Sequence, residues 1–157
     1  MTNYIGEYAC KVDAKGRVVL PMGLLKQFPE GQRESFVINR SVFQRCLVLY
    51  PMELWNVTMN DLGRLNRFVK ENDDFIRMFT NGAVRVEVDG SKRILLPKRL
   101  SDYAGIRNDI VFTANLNKIE IWSDQGHESV MGEFDADGFA QLAEKVMGRL
   151  NGESNVL

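Results

Sequence analysis

The sequence predicts a strand-rich α+β fold built from two copies of one small unit related by a pseudo-twofold axis. Three observations carry this. One stretch occurs twice: residues 11–21 read KVDAKGRVVLP and residues 87–97 read EVDGSKRILLP. Each copy is followed by the same succession of signals for a short helix and two strands. Each unit also spans only ~45 residues, near the limit of independent stability, so two copies burying each other's sheets form a core that neither closes alone.

The elements follow in order. At an offset of 76, Val12 matches Val88, Asp13 matches Asp89, Arg17 matches Arg93, Leu20 matches Leu96 and Pro21 matches Pro97. The same offset pairs Phe36 with Phe112 and Asn39 with Asn115, and a four-residue deletion then aligns Leu47–Tyr50 with Ile119–Trp122. Each copy opens with a β-hairpin, its first strands at Ala9–Val12 and Val84–Val88, its second strands RVVL and RILL. Between them lie turns in which Gly16 and Gly90 supply a positive φ. Pro21 and Pro97 stand where a helix begins. Short helices at 22–28 and 98–104 stop at Pro29 and Gly105. Strands at about 35–39 and 46–50, then 110–114 and 118–122, finish the units. Further helices are expected over LGRLNRFVK, capped by Asn60 or Asp61, over DFIRMF, capped by Asn72 or Asp73, and over GFAQLAEKVMGRL, capped by Asp137. A frayed polar tail, NGESNVL, closes the chain. The organisation is thus a first unit at 7–54, a helical connector at 55–82, a second unit at 83–126, and a C-terminal helix and tail at 127–157.

Composition narrows the function. Residues 1–50 carry seven Lys/Arg against four acids, a net of +3, while the remainder carries −4 and the chain −1 overall. A basic front and an acidic rear suit a protein that turns one surface to a polyanion, although ordinary surface variation produces the same figure. No apolar run reaches the ~20 residues of a membrane span, and the N-terminal residues do not read as a signal peptide. A cytoplasmic location is expected, with Cys10 and Cys46 reduced and buried. Two cysteines and one histidine fall short of a four-ligand zinc site. His127 is expected in a polar loop, SDQGHES, and no nucleophile–base set or Gly-rich phosphate loop can be assembled. Glu71, Asp73 and Asp74 read as helix-capping acids, and Tyr50, Trp122 and Trp55 as core anchors. The sequence therefore predicts no enzyme, no cofactor, no metal and no small-molecule ligand.

The pattern Asp-x-x-x-Arg occurs twice, Asp13/Arg17 and Asp89/Arg93, each spanning a turn. A short Asp accepts hydrogen bonds from turn amides and pairs with an Arg across the turn, which orients the guanidinium. An oriented Arg suits phosphate, or bidentate bonds to guanine in a major groove wide enough for a two-stranded ribbon. Lys15 and Lys92 lie at the same tips and Lys11 just before the first, all placed for phosphate. A pair that merely pins its turn is the plainer alternative for one motif; duplication favours recognition, with the tips gripping successive grooves.

The stretch KVDAKGRVVLP resembles the hairpin of AbrB-type DNA-binding proteins. The duplicated VDxxxR…LP units, the segment Leu49–Trp55 and the Ile-Glu-Ile-Trp strand at 119–122 resemble the MraZ family, and the likeness extends to about residue 150. It implies two SpoVT-AbrB units, swapped-hairpin and double-psi-like, in one subunit. It implies a homo-oligomer, a ring, that binds double-stranded promoter DNA. The sites would be short, G-containing direct repeats upstream of a division and cell-wall gene cluster, including the regulator's own promoter, and the protein would reside on the nucleoid. Carried onto this chain, the family's residues are Asp13 and Arg17, then Asp89 and Arg93. Lys92 replaces Gly16 in the second copy, so the second turn is expected to differ. An AbrB-like antitoxin would show one hairpin unit and a disordered toxin-binding tail, where this chain has a second unit. A purely structural ring protein would show no salt-dependent DNA binding.

Overall fold

A computed structural model describes residues 2–156, with side chains described through residue 152. The chain divides into a compact unit through Gly126 and a second unit from His127 onward.

The first unit contains strands β1 (Glu7–Lys11) and β2 (Arg17–Val19), helix α1 (Met22–Leu25), strands β3 (Ser35–Arg40) and β4 (Leu47–Pro51), and helices α2 (Met52–Gly63) and α3 (Lys70–Thr80). The second copy follows with β5 (Val84–Glu87), β6 (Arg93–Leu95), α4 (Lys98–Tyr103), β7 (Asp109–Asn115) and β8 (Lys118–Ser123). The expected strand–strand–helix–strand–strand order thus holds in both copies. Pro21 and Pro97 sit at the N-caps of α1 and α4, where a missing N–H costs nothing.

The strands interleave. The main sheet has the order β1-β7-β8-β4-β3-β5, so each copy's first strand pairs with the other copy's sheet. Within the first copy, β1 and β2 are joined only by the bridge Val12↔Val18 beyond the turn itself. The expected hairpins therefore exist only at their tips, and the strands diverge to partners across the pseudo-twofold axis. β2 and β6 pair with each other as a separate two-stranded ribbon, with Val18 opposite Ile94. Both are 1% exposed and enter a core drawn from both copies, including Phe28, Phe36, Leu49, Phe112 and Ile121. A smaller cluster, Val37, Val48, Tyr50 and Leu54, packs with Trp55 and Phe79, which α2 and α3 supply.

Pairing register corrects the sequence alignment of the copies. Cys10 pairs with Ile110 and its equivalent Val86 pairs with Phe36, so Phe36 corresponds to Ile110 and not to Phe112. An even slip leaves every side chain on its original face, so alternation alone does not reveal it. The four-residue deletion is accordingly split, two residues before β7 and two in the turn before β8.

Several helix boundaries also differ. LGRLNRFVK is not one helix: α2 starts at Met52 and ends at Gly63, and α3 starts at Lys70 after Val69, without a side-chain cap. Asp73 and Asp74 are not caps but ion partners of Arg77, at 2.6 and 3.0 Å. Helix α5 (Asp124–Met131) carries His127, which is helical and not in a loop. Helix α6 (Ala136–Val156) is capped by Asp135, whose Oδ1 accepts from the Gly138 N–H at 2.7 Å, and not by Asp137. It continues through most of the segment expected to be a frayed tail.

Candidate nucleic-acid interface

Each Asp-x-x-x-Arg motif folds into a three-residue loop. Asp13 N–H donates to the Arg17 carbonyl at 2.8 Å and Gly16 N–H to the Asp13 carbonyl at 3.0 Å. Asp89 with Arg93, and Lys92 with Asp89, repeat these bonds at 2.9 and 3.0 Å. Such a loop needs a left-handed residue at its third position. Gly16 supplies it in the first copy, at φ +84°. In the second copy Lys92 supplies it, at φ +62°, and Gly90 does not. The expected difference between the two turns is therefore absent: a lysine bears the strained conformation and the loop keeps its form.

The carboxylates do what the spacing suggested. Asp13 Oδ1 accepts from the Lys15 and Arg17 backbone N–H groups, both at 2.9 Å, and Oδ2 accepts from Arg17 Nε at 2.9 Å. Asp89 accepts from Ser91 N at 2.8 Å, Arg93 N at 2.9 Å and Arg93 Nε at 2.8 Å. The Arg17 backbone N–H holds the Asp13 carboxyl below the usual carboxylate range, and its guanidinium and the Lys15 N–H act in the same direction. Arg93 and Ser91 do the same for Asp89. Each guanidinium is thus fixed through Nε. Their side chains are about one third exposed, 33% for Arg17 and 31% for Arg93.

The ribbon brings the two tips together. Leu20 N–H donates to the Lys92 carbonyl and Leu96 N–H to the Gly16 carbonyl, each at 2.8 Å, so each tip is tied to the other copy's strand. Arg17 pairs with Leu95 and Val19 with Arg93. Cross-strand partners project to the same face, and diagonal neighbours lie about 7–8 Å apart. The arginines occupy one diagonal of this four-residue face. That separation suits neighbouring base pairs and not successive grooves, which repeat at ~34 Å; the expectation of two tips gripping successive grooves is corrected.

The remaining basic residues are placed unequally. Lys15 and Lys92 are exposed at their tips. Lys11 lies at the end of β1, its Nζ bonded to Asp109 Oδ1 at 2.8 Å. Any phosphate contact by Lys11 must compete with that carboxylate. A groove of about 510 Å³ runs beside the first tip and exposes Lys98 and Arg107, which the motif spacing did not single out. Val19 and Leu95, on the same ribbon face as the arginines, were also missed, although alternation about the buried Val18 and Ile94 marks them as outward-facing.

Both cysteines are free; Cys46 is buried as expected, whereas Cys10 is only partly so. Burial, with Glu120 nearby, pushes the Cys46 thiol up to about 12, which leaves it unsuited to nucleophilic chemistry. Among the described residues no group of three or more His, Cys, Asp and Glu side chains could hold a metal ion, and no helix is long and apolar enough to cross a membrane.

The chain matches the family described as "MraZ protein, putative antitoxin-like" twice, over residues 4–78 and 78–150. It is 52% identical to the transcriptional regulator MraZ of Christiangramia forsetii, over 94% of this chain and 95% of that protein. It is 47% identical to the protein of the same name from Flavobacterium psychrophilum, over 96% of each. With that of Clostridium tetani it shares 36% identity, over 91% of this chain and 96% of the relative. The two family matches divide the chain at the junction of its two copies, and the chain belongs to the MraZ family.

Proposed function

We propose that this chain is a sequence-specific DNA-binding transcriptional regulator and not an enzyme, and that the β2–β6 ribbon is its reading head. One observation carries this: two arginines, each held by an aspartate through Nε and the turn amides, share the outward face of one two-stranded ribbon. A ribbon enters a major groove about 12 Å wide, where an Arg bonds guanine O6 and N7. Lys15 and Lys92 contact phosphate on either side. The names of the similar proteins, transcriptional regulators, agree with this use.

In the fuller form of this reading, swapped AbrB-type hairpins present the ribbons of several subunits, assembled as a ring, to tandem direct repeats. Those repeats lie upstream of the division and cell-wall genes and of the chain's own gene, on the nucleoid. One ribbon spans only a few base pairs, so affinity is gained by linking several. A gel-shift titration against the DNA immediately upstream of the chain's own reading frame tests it. Binding that exceeds binding to random duplex, and that rises steeply from one repeat to three, is the expected result. Equal affinity for the upstream and random duplexes overturns the proposal.

A further inference from the structure

The outward face of the ribbon holds two apolar residues as well as two arginines. Val19 is 55% exposed and Leu95 53% exposed. A single exposed Val or Leu is ordinary on any surface. Here, however, the two are equivalent positions of the repeat, each two residues beyond its arginine. The register puts Arg17 beside Leu95 and Arg93 beside Val19. The result is a square of side chains with the cations on one diagonal and the apolar groups on the other, ~7–8 Å across. Leu95 also leans on the first tip, its Cδ1 lying 3.5 Å from where a Cβ on Gly16 would stand. Polar residues are the usual choice for the solvated face of an antiparallel ribbon. Both copies place branched hydrocarbon there instead.

Resting on the reading of the ribbon as a major-groove element, we infer that Val19 and Leu95 are specificity-determining residues that contact the 5-methyl groups of thymines adjoining the guanines bound by Arg93 and Arg17. The thymine methyl is the one hydrocarbon group that base pairs present in the major groove, and apolar side chains recognise it by contact. Base pairs rise ~3.4 Å each, so a square of this size covers two to three of them. Each cross-strand pair, Arg17 with Leu95 and Arg93 with Val19, therefore reads a guanine and a neighbouring thymine as a unit. Because one copy offers Val and the other Leu, the two half-faces are unequal and the site read has a direction.

The test uses the full chain and the DNA immediately upstream of its own reading frame, made with thymine or with uracil throughout, since uracil lacks only the methyl. The wild-type protein should bind the uracil duplex more weakly, by about fourfold for each methyl group that the side chains no longer meet. The Val19→Ala, Leu95→Ala double variant should bind the thymine duplex more weakly and discriminate little between the two duplexes. Equal wild-type binding of the thymine and uracil duplexes overturns the inference. So does a double variant that still discriminates, or one that loses binding together with a change of oligomeric state by light scattering. Arg17→Ala serves as the control that separates the two claims. If it abolishes preference for the upstream DNA while uracil is tolerated, only the methyl contact fails. If the wild-type protein shows no preference for that DNA, the reading of the ribbon fails with it.

Discussion

Substituting the third residue of each tip loop separates backbone strain from DNA contact. Lys92 holds φ +62° and Gly16 holds φ +84° at equivalent positions. A left-handed conformation costs a residue with a Cβ about 1–2 kcal/mol. Glycine avoids that cost but loses about 0.5–1 kcal/mol more conformational entropy on folding. Lys92→Gly should therefore stabilise the fold by about 0.5–1 kcal/mol, raising Tm by roughly 1–4 °C for a chain of this size. The reverse change, Gly16→Ala, meets the same strain and also places a Cβ 3.3 Å from the Leu96 carbonyl oxygen. It should lower stability by about 1 kcal/mol or more. Thermal and urea unfolding followed by circular dichroism measure both. Lys92→Gly also removes a tip cation, so the stabilised protein should bind DNA less tightly at low salt. A Lys92→Gly protein that melts lower than wild type, or a Gly16→Ala protein that melts higher, refutes the assignment of strain to these positions.

Two further outcomes follow from the tips. The Asp13 and Asp89 carboxyls are held below their ordinary range, so they contribute stability that is present at neutral pH and lost as pH falls through their lowered folded values. The urea midpoint of an Asp13→Asn, Asp89→Asn protein should lie below that of wild type at pH 7, and the gap should narrow as pH falls below the usual carboxylate range of ~4; a gap constant with pH contradicts this. Lys15→Ala should weaken promoter and random duplexes alike and make the slope of log K against log salt shallower by about 0.9 for each phosphate left unneutralised; a change in sequence preference would show instead that Lys15 reads bases.

The repeat was legible because it combines a loop motif with an apolar strand ending in Leu-Pro, and both survive duplication. Asp13 and Asp89 could be assigned their turn-binding role from spacing alone, since only a residue with a short acceptor reaches the amides two and four positions on. The exchange of strands was not legible in the local pattern of residues. β1 and β2 are adjacent in sequence and read as a hairpin, yet β1 pairs with β7, and no local signal distinguishes those outcomes. For the same reason, the neighbourhood of Arg17 and Arg93 was hidden: it arises from β2 pairing with β6 across 76 residues. Lys92 misled in the opposite sense. A glycine two positions earlier suggested a different turn, but the reciprocal bonds from Leu20 and Leu96 fix both loops in one form. Helix starts at Lys70 and Ala136 were hidden because Asn and Asp near a helix start suit several neighbouring positions equally.

The most direct test of the ribbon as reading head compares wild type, Arg17→Ala, Arg93→Ala and the double variant on the chain's own upstream DNA and on random duplex, across a salt series. Both arginines are only one-third exposed and each forms one ion pair with its aspartate, a contact worth about 0–1 kcal/mol near a surface, so all variants should remain folded. Each single substitution should cost about 1–3 kcal/mol of binding to the upstream DNA, and the double variant should bind it no better than random duplex. A folded double variant that retains full affinity and preference for the upstream DNA would contradict the account.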